Sequence, residues 1–131
     1  METKKKLENF NSIACKLGNL DACYLVHRRG YKTFATFNGK DYTFYIAKGK
    51  KDLGETPRFY YAYEASTGLR VCGLGSDTVE AACSQLFSDS FVRAFTKLIE
   101  SGELIKLQDR FQLTLKMEGE QNENTRIKDK S

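Results

Sequence analysis

Long apolar runs are missing from this 131-residue sequence. None approaches the roughly 18 residues that a membrane-crossing helix needs. The first ten residues, METKKKLENF, carry lysines but no apolar stretch, so they do not read as a secretory signal. The expectation is a cytoplasmic protein without a membrane partner. An acidic excess is missing too. Twenty-one Lys and Arg stand against seventeen Asp and Glu, a net charge of +4. That argues against an acidic mimic of DNA, and it permits nucleic acid as a partner without requiring it. Histidine is scarce, His27 being the only one. The four cysteines, Cys15, Cys23, Cys72 and Cys83, contain no C-x-x-C pair. A zinc site would need all of these to converge with no close pair to start it. No metal or other cofactor is therefore expected, and the cysteines read as reduced thiols behaving as small apolar residues. Tryptophan is absent, which excludes nothing.

What is present is enough for one core. Hydrophobic residues make up 40% of the chain, with nine Phe and seven Tyr. The length suits a single domain, placed at residues 1–117. The last stretch, from 118 to 131, is charged and nearly free of apolar residues, and reads as a disordered tail.

The strongest local signal is Asn38-Gly39. Both residues tolerate the positive φ of a two-residue hairpin turn, so the pairing can be written down. Phe37 faces Lys40, Ala35 faces Tyr42, Thr33 faces Phe44 and Tyr31 faces Ile46. On the opposite side Thr36 faces Asp41, Phe34 faces Thr43 and Lys32 faces Tyr45. The first set supplies a core face. Around the hairpin the elements are less sharply marked. Leu7, Phe10, Ala14 and Leu17 recur at helical steps, predicting an N-terminal helix over Thr3–Leu17, capped by Thr3 and stopped by Gly18. Lys4, Lys5 and Lys6 would form a basic arm at its start. A short strand over 23–28 and a turn at Arg28-Arg29-Gly30 precede the hairpin. Strands at 58–65 and 69–73 follow a basic loop, KGKKDLGETP. A long helix then starts at Asp77, with Glu80 at capping-box spacing, and Ser88-Asp89-Ser90 marks a kink or a break. Gly102 ends it, and 103–107 with 111–117 alternate like two closing strands. The fold class is α+β: one antiparallel sheet of four to six strands, with an N-terminal helix and the long helix on one face.

Three places carry candidate chemistry. His27 beside Arg28 and Arg29 could act on phosphodiesters, but local spacing supplies no group to orient the ring, so a histidine near a strand end is the default. GLGS at 73–76 precedes a helix but lacks the Lys-Ser/Thr of a phosphate loop, and a tight turn explains it. Phe34 and Tyr45, diagonal neighbours beside Lys32, have the chemistry of a base-stacking platform, which Lys48, Lys50 and Lys51 extend, with Arg28 and Arg29 as secondary contacts. A helix or further strands could equally cover those rings. The acidic residues Glu8, Asp21, Asp52, Glu55, Glu64 and Asp109 are scattered and read as solvated charges.

Two stretches resemble known families. The expected helix–sheet–helix order over 3–101 resembles a double-stranded-RNA-binding domain, although Ser76, Asp77 and Thr78 stand where that family carries lysines. GLGSDTVEAACSQL looks like the strand-to-helix junction of HicB-type antitoxins, which would imply toxin binding and a DNA-binding segment. The functional expectation is a non-enzymatic binding domain that takes nucleic acid on the hairpin face and lysine loop. The alternative is a small protein-binding inhibitor or adaptor of the kind mobile elements encode, such as an anti-defence protein.

Overall fold

The computed structural model describes residues 6–15 and 23–129. Five strands form one antiparallel sheet in chain order: β1 (Leu7–Cys15), β2 (Cys23–Phe37), β3 (Lys40–Lys48), β4 (Tyr60–Glu64) and β5 (Arg70–Ser76). A 3₁₀ turn, Lys51–Leu53, lies between β3 and β4. Three helices follow: α1 (Val79–Gln85), α2 (Asp89–Ser101) and α3 (Glu103–Asp129). The α+β class and the antiparallel sheet are as expected. No helix among the described residues is long and apolar enough to cross a membrane.

The β2–β3 hairpin has all seven expected residue pairs. Asn38 and Gly39 take φ of 52° and 76°, which sets the turn and hence which rings face which way. Ala35, Phe37, Tyr42, Phe44, Ile46 and Ala62 point to one face. Ala82 of α1, Leu86 just after it, Phe95 of α2 and Leu104 of α3 pack onto that face. Phe37 and Phe95 meet at 4.7 Å between ring centres, and Phe91 and Phe95 at 5.5 Å. Such ring pairs add about 0.5–1.5 kcal/mol each beyond the area they bury. The break in the long helix is real: Ser88 Oγ accepts from the Phe91 amide and opens α2, and Gly102 closes it at φ 83°. The cap of α1 is Thr78 rather than Asp77, its Oγ1 accepting from the Ala81 amide.

Several expectations are corrected. The segment expected as the N-terminal helix is the edge strand β1 over Leu7–Cys15, paired along its whole length with β2. Thr3, Lys4, Lys5, Leu17 and Gly18 lie outside the described residues. With a strand in that place, the helix–sheet–helix order of a double-stranded-RNA-binding domain is not formed. Nor does the chain turn at Arg28-Arg29-Gly30; β2 runs straight through. Gly30 serves close approach instead, since a Cβ there would stand 2.7 Å from the Ile46 carbonyl oxygen and 2.9 Å from the Phe10 ring. The two closing strands expected over 103–117 are the first turns of α3. That helix continues through most of the stretch read as a charged tail, and Glu118 accepts a 2.7 Å bond from the Leu25 amide at the start of β2. Finally, Cys23 is disulfide-bonded, so the reading of four reduced thiols fails there, while Cys83 is in no disulfide.

Candidate functional site

β2 has two sets of neighbours. Its first part, Cys23–Tyr31, pairs with β1, and its last part, Tyr31–Phe37, pairs with β3. Past Tyr31 and Ile46, therefore, β2 and β3 part company. The opening between them is a groove of about 800 Å³. Three short runs line it: Asn9-Phe10-Asn11 of β1, His27-Arg28-Arg29 of β2, and Lys48-Gly49-Lys50 where β3 gives way to the loop. A smaller hollow of about 290 Å³ adjoins it and shares Arg29 and Lys48, with Tyr31 and Tyr60 beside them.

Strand alternation sorts these side chains. Asn9 is opposite Arg29, and Asn11 is opposite His27, so the four share one face of the β1–β2 pair. Lys48 continues the row of Phe44 and Ile46 on β3, beyond the part that the helices cover, and its ammonium lies 5.7 Å from the centre of the Tyr60 ring. Arg29 and Lys48 are exposed and Lys50 is half-buried. No Asp or Glu lines the groove among the described residues.

The groove also contains the orienting group that the sequence did not reveal. His27 Nδ1 lies 2.6 Å from Asn11 Oδ1. An amide oxygen can only accept, so Nδ1 carries the proton and donates it. In the neutral ring, Nε2 is then the basic nitrogen. The partner is sixteen residues away in sequence and becomes visible only once β1 is known to be a strand.

The opposite face of the sheet is built differently. Phe10 stacks on Tyr45 at 4.4 Å with the ring planes 2° apart, and Tyr63 completes the group at 5.6 Å. Tyr45 is thus half-buried against Phe10 rather than paired with Phe34 as an open platform. Phe34 is 59% exposed and enters no ring contact among the described residues. Lys32 lies 5.9 Å from the centre of the Tyr45 ring, and Glu8 holds it at 3.3 Å. The hydrogen bond to Glu8, helped by Tyr45, raises the Lys32 pKa above its ordinary value.

On the same face the loop after β3 folds back over the sheet and inserts Glu55. Its carboxylate, 7% exposed, accepts from Arg28 at 2.9 and 3.3 Å, from the Lys50 amide at 3.0 Å, from the Tyr63 hydroxyl at 2.9 Å and from Arg70 at 3.3 Å. Burial alone would push the Glu55 pKa up, but the Lys50 amide and the Arg28 guanidinium outweigh it and hold the carboxyl below the ordinary range. Burial, with Glu55 as neighbour, pushes the Tyr63 hydroxyl up. Arg28 itself is 6% exposed, lies 4.4 Å over the Tyr63 ring, and donates through Nε to Ser12 Oγ at 2.7 Å.

The residues singled out from the sequence therefore separate. Arg29, Lys48 and Lys50 come together in the groove, and Arg28 reaches it only as a buried, neutralised wall. Lys32, Tyr45 and Phe34 belong to the opposite face, and exposed Lys51 begins the 3₁₀ turn outside the groove lining. Two of the acidic residues read as solvated are buried. One is Glu55; the other is Glu64, 1% exposed, whose carboxylate accepts from the Ser66 and Thr67 amides and fixes the β4–β5 turn. No group of three or more metal-ligating side chains occurs among the described residues.

Comparison with protein families, with curated proteins and with solved structures finds no match to the chain. Neither likeness noted in the sequence is carried by such a match.

Proposed function

We propose that the protein binds single-stranded nucleic acid, with the phosphates in the groove between β2 and β3. The observation that carries this reading is the composition of the groove wall: His27, Arg29, Lys48 and Lys50 without a facing carboxylate among the described residues. Cations that lack an internal counter-ion attract phosphate and release condensed counterions when they meet it. Phe10 lines the groove beside these cations and offers a ring edge to a base that has left its stack. Fluorescence anisotropy with single-stranded RNA and DNA oligonucleotides tests the idea. Affinity should fall steeply as salt rises. Replacing Arg29, Lys48 and Lys50 together by Gln should flatten the logarithmic salt slope by about 2, at about 0.7 per phosphate contact on a single strand. Binding that hardly responds to salt, or a triple variant that binds like the parent, overturns the reading.

A second reading, a protein-binding adaptor, has its own support on α3. Ile105, Leu113 and Met117 are large apolar side chains left exposed along that helix. Under this reading a partner captured from lysate survives nuclease treatment and is lost when Leu113 and Met117 are replaced by Asp. Capture that depends on intact nucleic acid counts against it.

A further inference from the structure

The groove holds one arrangement that binding does not require. His27 is fixed through Nδ1 by Asn11, which leaves Nε2 as the ring's free basic nitrogen. An imidazole whose second nitrogen is held by a hydrogen-bond acceptor has its tautomer and orientation set, which is the requirement for a positioned general base. Arg29 lies two residues along the same face of β2, and Lys48 and Lys50 form the far wall. Cations in the same groove as a base are suited to a phosphodiester, whose transition state gathers negative charge on the phosphoryl oxygens.

We propose that the groove cleaves the RNA it holds, using the 2′-hydroxyl next to the scissile phosphate as nucleophile. This rests on the binding reading above. His27 Nε2 takes the proton of the 2′-hydroxyl as the 2′-oxygen forms its bond to phosphorus. The bond from phosphorus to the 5′-oxygen breaks, and that oxygen leaves with a proton from water. The imidazolium returns its proton to the hydroxide left behind. The products are a 2′,3′-cyclic phosphate and a free 5′-hydroxyl, with no oxidant or second substrate consumed. Arg29, Lys48 and Lys50 stabilise the developing charge. Asn11 is bonded to His27 through its side chain and acts as a positioning residue.

The test uses the full chain with an end-labelled single-stranded RNA and its all-deoxy counterpart. The RNA should be cut to products ending in cyclic phosphate, while the deoxy strand is bound and stays intact. His27→Ala, prepared in parallel and confirmed folded by its thermal transition, should lose at least about 100-fold in rate, the lower end of what a positioned base contributes. His27→Gln serves the same purpose if the alanine variant does not fold. Asn11→Ala should slow cleavage. Asn11→Asp should restore it with the acid limb of the pH–rate profile moved to higher pH, because a carboxylate stabilises the imidazolium. RNA that is bound but stays intact overturns cleavage and leaves the binding reading standing, and so does cutting that is unchanged in the His27 variants. RNA that is not bound at all overturns both.

Discussion

Arg28 and Arg29 are neighbours in sequence with opposite surroundings. Strand alternation sends Arg28 to the face of Phe10 and Tyr63, where Glu55, Ser12 and the Tyr63 ring enclose it. Arg29 goes to the groove, where no carboxylate faces it among the described residues. A buried guanidinium must be paired, because leaving a charge unpaired away from water costs several kcal/mol. An exposed one has no such obligation, and an unpaired cation in a concavity is free to meet an anion. The difference teaches where to look for function in a chain with modest net charge: among the cations without internal partners.

The sharpest way to break this comparison is to remove each arginine in turn. Arg28→Ala leaves Glu55 with fewer donors inside the fold and should lower the unfolding free energy by about 3–5 kcal/mol in urea titrations. Arg29→Ala should change stability by no more than about 0.5 kcal/mol, the usual range for surface sites. Similar losses at both positions would mean that Arg29, too, is a structural residue, and the case for the groove would weaken.

A smaller effect, confined to acid, isolates the Arg28–Glu55 side. The folded-state pKa of Glu55 lies below the ordinary glutamate value of about 4.3. The stability it contributes is therefore complete above that ordinary value and is lost as pH falls through the depressed one. Urea midpoints for the parent should hold between about pH 7 and pH 5 and decline below about pH 4. Glu55→Gln should start lower and decline less. Parallel acid limbs in parent and variant would assign the loss to other carboxylates.

Much of this division was legible in the sequence, and its limits have physical causes. Asn38-Gly39 gave the hairpin register because two consecutive residues with positive φ admit few turns. Ser88 and Gly102 marked helix ends for similarly local reasons. In sequence β1 resembles a helix because the side it turns to Arg28 alternates Phe10 with Ser12, and a buried serine hides a strand from an apolar count. Ser12 is 1% exposed, bonded to Arg28 and the Val26 carbonyl. α3 was read as strands because Phe111, Leu113, Leu115 and Met117 alternate. In the helix, Phe111 and Thr114 are buried while Leu113 and Met117 face outward, so the apparent period came from residues without a shared role. The cations of the groove stand out in the sequence, but the groove does not. It needs β1 beside β2 and the parting of β2 from β3. The Asn11–His27 and Glu55–Arg28 contacts, 16 and 27 residues apart, depend on the same long-range pairing.

The least disruptive variant discriminates between the two sides as the docking surface. Lys32 is exposed and was the cation expected to accompany Phe34 and Tyr45. In the structure its ammonium is already balanced by Glu8 at 3.3 Å and lies over the Tyr45 ring. A cation already balanced by a carboxylate neutralises a phosphate less completely and so displaces fewer of the counterions condensed on the nucleic acid. Lys32→Gln should therefore weaken binding of single-stranded RNA less than Arg29→Gln does, and leave the salt slope unchanged, whereas Arg29→Gln should reduce that slope by about 0.7. Paired anisotropy titrations at three salt concentrations decide the matter. A Lys32 effect as large as that of Arg29 would move the phosphate track to the face of Lys32 and Tyr45. The aromatic stack of Phe10 and Tyr45, rather than the parting of β2 and β3, would then be where the strand docks.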